Sequence, residues 1–167
     1  VDDPTLEKGL LSRPFDAEGT PTARTVVVEK GVFKTFLHNL ETAKALGQRN
    51  TGHAARSYRG TLGVAPTNLY LEPVGNLALT DGVVVTERMG LHAGANPVTL
   101  DFALQASGLW VEEGEVRHAV ENFAVSGNLL ELLQAVEAVG DDLDWLLWNA
   151  AYGCPTVAVA ELSFAGA

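Results

Sequence analysis

The sequence predicts an α+β fold: mainly antiparallel β-sheet or a partial barrel, with two helices at about 38–46 and 128–139. Three observations predict it. Short β-branched runs, such as Val26-Val27-Val28 and Val83-Val84-Val85, are broken by turn residues rather than extended into amphipathic helices. Glu113-Gly114 stands between two strand-like runs as a two-residue hairpin signal. Leu129, Leu132, Leu133, Val136 and Val139 recur at helical spacing, with Asn128 ahead of them as an N-cap. The 17 glycines also favour many turns over a helical bundle.

Taken in order, residues 1–24 are turn-rich, punctuated by Pro4, Gly9, Pro14, Gly19 and Pro21. Residues 25–29 and 32–37 read as a hairpin about Lys30-Gly31. Residues 39–46 read as a helix of two turns, capped by Asn39 or Thr35 and stopped by Gly47. Residues 48–68 are polar, Arg-rich and aperiodic, and read as a loop ordered from elsewhere or not ordered. A strand is expected over 68–73, a short helix at 76–80 and a strand over 82–87. Residues 90–98 are turn material; strands follow at 99–104, 108–112 and 115–120, with 122–126 extended. Residues 141–149 fit either state, and 156–164 form a closing strand.

Composition excludes several functions. The chain has 167 residues, fits one domain, and is 47% apolar, enough for a sizeable core. No apolar run approaches the ~18 residues of a membrane span, so no membrane partner is expected. The formal net charge of −10 repels phosphate backbones, so no direct nucleic-acid partner is expected. The single cysteine, Cys154, fits a reducing compartment, and the first residues lack a signal-peptide pattern. The expected localisation is cytoplasmic.

The chemistry-bearing residues are scattered. The histidines at 38, 53, 92 and 118 have no HExxH or HExxxH spacing, so no helix face offers two imidazoles to a metal. Cys154 precedes a proline and an apolar strand, and reads as a buried structural thiol rather than a nucleophile. Asp16 and Glu18 could serve as acid and base, but such a pair more often caps a turn or meets an arginine. Asp141, Asp142 and Asp144 read as acids at the start of a helix. One local basic patch stands out: Arg49, Arg56 and Arg59 surround Thr51-Gly52-His53-Ala54. Arginine forks suit carboxylates and phosphates, so Thr51, Gly52, His53 and Arg56 are the candidate substrate-binding residues.

The order of the motifs is more specific than any one of them. Asp3-Pro4, Gly9, Ser12-Arg13-Pro14-Phe15-Asp16-Ala17-Glu18-Gly19, Thr51-Gly52-His53-Ala54 and Pro66-Thr67-Asn68-Leu69-Tyr70 come in turn. Ala106-Ser107-Gly108-Leu109-Trp110-Val111-Glu112-Glu113-Gly114-Glu115, Gly127-Asn128-Leu129 and Ala165-Gly166 complete the series. Over nearly the whole chain this resembles the C-terminal half of the TldD/PmbA family of metallopeptidase-related proteins, also labelled modulator of DNA gyrase. The acidic charge lends no support to direct DNA contact.

The resemblance implies a single β-rich domain, 1–167, forming the C-terminal half of a longer two-domain chain. Val1-Asp2-Asp3-Pro4 then corresponds to an exposed segment between halves, open to proteolysis. In that family, the TldD branch carries zinc on an HExxxH helix of its upstream half, and the PmbA (TldE) branch does not. The two pair to cut unfolded peptides. This chain has neither HExxxH nor the Cys-Gly-Lys segment that gives the TldD branch a thiolate ligand. The zinc role is not carried onto Cys154, and no catalytic or metal residue is assigned. Ser12–Asp16 and Thr51–Ala54 sit closer to the PmbA branch, and Leu100 stands where the family more often has glycine.

The implied function is the C-terminal domain of a PmbA/TldE-like subunit, assisting dimerisation and extended-peptide binding in proteolysis. Its partner would be a TldD-like subunit or a second copy, with zinc in the upstream half or the partner. Two rival readings are a fragment of a self-sufficient zinc peptidase and a non-catalytic assembly module.

Overall fold

The computed structural model describes residues 1–166. The chain order is β1 (Val28–Glu29), β2 (Val32–Phe33), α1 (Leu40–Leu46), β3 (Ala54–Ala55), β4 (Gly63–Val64), β5 (Asn68–Tyr70), β6 (Gly82–Met89) and α2 (Leu91–Gly94). It continues with β7 (Asp101–Glu112), β8 (Glu115–Asn128), α3 (Leu129–Gln134), β9 (Val136–Val139), β10 (Asp144–Leu147), β11 (Ala151–Cys154), β12 (Val157–Val159) and β13 (Ser163–Ala165). The α+β class holds: among the described residues pairing is mostly antiparallel, no sheet closes into a barrel, and the helices are short.

Two compact units emerge. One comprises Val1–Pro73 and Asp142–Pro155; the other comprises Val74–Asp141 and the chain from Thr156 onward.

The second unit is built on a four-stranded antiparallel sheet in the order β13-β8-β7-β6. Its spine is the long β7–β8 hairpin, turned by Glu113 (φ 54°) and Gly114 (φ 75°). Two successive positive φ values make the mirror-image turn whose twist matches the strands, and glycine takes the second at no steric cost. Ala106, Phe123 and Val125 form the core against Val83, Phe102, Val120 and Leu162. The runs expected as separate strands at 99–104 and 108–112 are one strand, β7. Its register shifts between Ala106 and Gly108 where the pairing bulges. Leu100, just before β7, adopts φ 66°, a left-handed conformation glycine takes more easily.

The expected helix at 128–139 is half right. Asn128 caps it by accepting from Leu130 N at 3.0 Å, but the helix ends at Gln134. Val136–Val139 form β9 and pair antiparallel with β12. Valines at 136 and 139 satisfy helical spacing, yet β-branched residues also suit a strand, and the distant partner decides. No helix forms at 76–80, while residues 91–94, expected as turn, make the single-turn α2. The closing strand is two pieces, β12 and β13.

In the first unit, β10, β11 and β5 form a three-stranded sheet; β10–β11 is antiparallel and β11–β5 parallel. Residues 141–149 hold the strand β10 and no helix, so the three aspartates do not open one. Asp144 instead accepts from Trp145 N at 2.8 Å. Helix α1 begins with a capping box between Asn39 and Thr42 and ends on Gly47 in the left-handed conformation, as its sequence signals required. The β1–β2 hairpin turns on Lys30 and Gly31 as expected.

Candidate functional site

The largest fully buried side chains of the first unit are mainly polar: His38, Asn39, His53, Thr67, Asn68 and Asp2. Buried polar groups are costly unless they are satisfied, so their connections define the site.

The segment at Asp2 lies between two stretches of chain. Asp2 N donates to Thr25 O (2.9 Å), Thr25 N to Asp2 O (2.8 Å), and Asp2 also bridges to Leu69 of β5. Residues 2–4 are buried, so an exposed linker is not what the fold makes of them. The Asp2 carboxylate accepts from Thr67 N at 2.9 and 2.8 Å and from Thr67 Oγ1 at 2.8 and 2.9 Å. His53 Nε2 lies 3.5 Å from Asp2 Oδ2, both side chains wholly enclosed. Burial works to raise this carboxyl, but the neighbouring His53 and the hydrogen bonds from Thr67 prevail and hold it below its ordinary range.

From His53 the network continues inward. Its Nδ1 meets Thr51 Oγ1 at 2.9 Å; Thr51 Oγ1 accepts from His38 N (2.6 Å) and donates to His38 O (3.1 Å). His38 Nδ1 meets Thr42 Oγ1 of α1 at 3.3 Å. Gly52 sits at φ 73°, and a Cβ there would come within 2.8 Å of Pro21 O. Thr51, Gly52 and His53 therefore tie α1, the 20–22 turn and the Asp2 segment together. Arg56, Arg49 and Arg59 are exposed, and Arg59 stacks over the Tyr58 ring at 5.0 Å.

Asp16 is the second anchor. Its Oδ1 accepts from Glu18 N and Thr20 N, both at 2.9 Å, and its Oδ2 from Ala54 N of β3 at 3.0 Å. Glu18 accepts from Leu40 N at the start of α1 (2.9 Å). The turn-capping reading of these acids holds. It also explains why the aperiodic 48–68 stretch is ordered: β3 is held by Asp16 on one side and by β4 on the other.

Asn68 is the third anchor. Its amide accepts from Leu11 N (2.9 Å) and donates to Asp3 O (2.9 Å) and Ser12 Oγ (3.0 Å). This pins residues 10–13 beside residues 65–67. Leu10 to Arg13, Ala55, Ala65 to Thr67 and Asn149 enclose a cleft of about 360 Å³.

Among the described residues no three His, Cys, Asp or Glu side chains converge to hold a metal. The Asp2–His53 pair does not fit zinc, because both Asp2 oxygens already hold Thr67 and no third donor joins them. Cys154, expected to be buried, is exposed, its Sγ 3.3 Å from Pro155 O. Sequence reasoning missed Asp2, His38 and Asn68 as a polar core. Thr67-Asn68 was visible only as part of a family-like string, since its partners lie 56 to 65 residues away.

Residues 1–166 match the family profile described as PmbA/TldA metallopeptidase C-terminal domain. The chain belongs to this family. It is 33% identical to Metalloprotease PmbA of Escherichia coli over 98% of this chain and 34% of that protein. It is 35% identical to the PmbA homolog of Haemophilus influenzae over 84% of this chain and 30% of that protein. Among solved structures it resembles TldE from Thermococcus kodakarensis, with a TM-score of 0.84 at 28% identity, over 99% of this chain and 39% of that one. A Thermotoga maritima protein named for DNA gyrase modulation gives a TM-score of 0.83 at 42% identity, over 98% of this chain and 38% of that one. The chain thus spans about a third of the length of the curated relatives it matches. It is a PmbA/TldA C-terminal domain whose first unit is organised around Asp2, Asp16 and Asn68.

Proposed function

We propose that this domain serves a PmbA/TldE-like subunit of a peptidase complex by helping it pair and by holding an extended peptide. The observation that carries the peptide reading is the outer edge of β10. That strand ends its sheet, Leu146 and Leu147 are 61% and 58% exposed, and Trp148 just beyond is 81% exposed. An uncovered apolar edge strand is a template for another extended chain. Main-chain pairing gives affinity with little side-chain preference, which suits unfolded substrates.

In this reading Thr51, Gly52 and His53 hold the frame, and Arg56 presents its guanidinium outward to peptide or partner. The partner is a TldD-like subunit or a second copy. Zinc belongs to that partner or to the upstream half, and no step of hydrolysis is assigned to this domain.

The test uses the complex isolated through a tag on the full chain, with three unfolded peptides. One is the parent, one a scrambled version, and one carries N-methyl groups on alternate amides. Strand pairing predicts that parent and scrambled peptides are processed alike and the N-methylated one is spared. Equal processing of the N-methylated peptide would refute the edge-pairing role. Zinc retained at one per chain in the isolated subunit would favour a self-sufficient peptidase instead.

A further inference from the structure

Arg13 is the one cation built into the first unit's framework without a matching anion. Its backbone is held at both ends: Arg13 N donates to Pro4 O at 2.8 Å, and Arg13 O accepts from Thr22 Oγ1. Its Nε is buried with no acceptor, and its Nη2 has only a long 3.5 Å contact to Ala54 O. No ion pair joins it to a carboxylate among the described residues, although the chain carries 21 Asp and Glu. A half-buried guanidinium short of acceptors is costly, and an incoming anion relieves that cost.

The surroundings narrow the anion. Arg13 lines the cleft of about 360 Å³, whose apolar walls are Leu10, Leu11, Ala55, Ala65 and Pro66, with Ser12 and Thr67 beside them. Leu10 and Leu11 are 52% and 37% exposed, so apolar surface stands ready beside the charge. Asn149 lies at the same cleft, two residues past the end of β10. Its Oδ1 accepts from Tyr152 OH at 2.9 Å, which leaves its amide nitrogen to donate. Two donors beside an apolar wall match a carboxylate borne by an apolar residue. Arginine's planar fork favours that group through paired hydrogen bonds.

The geometry points to a carboxylate-binding subsite at Arg13, which takes the C-terminal carboxylate of a peptide whose last side chain is apolar. The inference rests on the peptide-binding reading above and adds to it an end-recognition element. The backbone edge of β10 ignores sequence, whereas the Arg13 cleft registers where the peptide stops.

The experiment titrates the full chain by calorimetry with N-acetyl-Ala-Ala-Leu as the free acid and as the C-terminal amide. The acid is expected to bind at least tenfold tighter. Arg13→Met should remove the difference, and Arg13→Lys should keep part of it. Leu11→Glu places a negative charge on the exposed cleft wall and leaves the backbone bond from Leu11 N to Asn68 Oδ1 in place. It removes part of the apolar wall for both peptides but opposes only the carboxylate, so it should weaken the acid about tenfold more than the amide, and it keeps the test valid if Arg13→Met fails to fold. Equal binding of acid and amide, or acid binding untouched by Leu11→Glu, overturns the subsite while leaving peptide binding intact. Binding of neither peptide overturns both the subsite and the reading beneath it.

Discussion

Replacing Asp2 with alanine removes the acceptor on which the first unit's polar core converges. The carboxylate is wholly buried, accepts from Thr67 N and Thr67 Oγ1, and lies 3.5 Å from His53 Nε2. Asp2→Ala strands those donors in a site with no water access. Leaving a buried donor without its acceptor costs about 1–3 kcal/mol, so the two Thr67 donors together put the loss at about 2–6 kcal/mol. Asp2→Asn keeps the shape and one acceptor but turns an amide donor toward Thr67 or His53, so about 1–3 kcal/mol is expected. At about 2–4 °C per kcal/mol for a chain this long, Asp2→Ala should lower Tm by about 10 °C.

The pH dependence gives an independent handle. Asp2 titrates below its ordinary 3.8 in the fold. Its carboxylate therefore contributes stability above the unfolded value, and that contribution is lost as pH falls through the lower folded value. The wild-type protein should lose stability below about pH 4 more steeply than Asp2→Asn does. The assay is denaturant unfolding of the full chain, followed by circular dichroism at pH 7 and from pH 5 to 3. A loss below about 1 kcal/mol for Asp2→Ala, within the range of ordinary surface substitutions, would refute the reasoning.

Gly52→Ala forces an L side chain into φ 73° and against Pro21 O, so a loss of about 2 kcal/mol or more is expected in the same unfolding assay; an unchanged Tm would contradict the placement of the 50–53 turn. Asn39→Ala removes the capping box of α1 and should cost about 1 kcal/mol, visible as a lower denaturation midpoint with an unchanged slope. Changing Arg49, Arg56 and Arg59 together to alanine should leave stability within about 0.5 kcal/mol, because all three are exposed. The same variant should weaken peptide processing by the complex, and full retention of activity would remove Arg56 from the binding role.

Local chemistry was legible wherever a few adjacent residues decide the backbone. Asn39 and Gly47 bracket α1, Lys30-Gly31 and Glu113-Gly114 make their hairpins, and Asn128 starts α3. Each is settled by a cap or by a positive φ within a few residues. The family was legible too, because an ordered series of short motifs survives where single ones carry little.

What the sequence by itself determined, then, is the turn and cap chemistry, the α+β class and the family. The tertiary structure alone decided the rest. Val136 to Val139 became a strand because β12, about twenty residues on, offered backbone partners. The aperiodic stretch after Gly47 took shape because Asp16, His38 and Asp2 reach it from outside. The polar core has no periodic signature, since its members hydrogen-bond one another across as many as 65 residues. Hydrophobic burial imprints a period on sequence because every residue of a face meets the same apolar medium. A hydrogen-bonded carboxylate meets specific donors instead, and only folding brings those to one place.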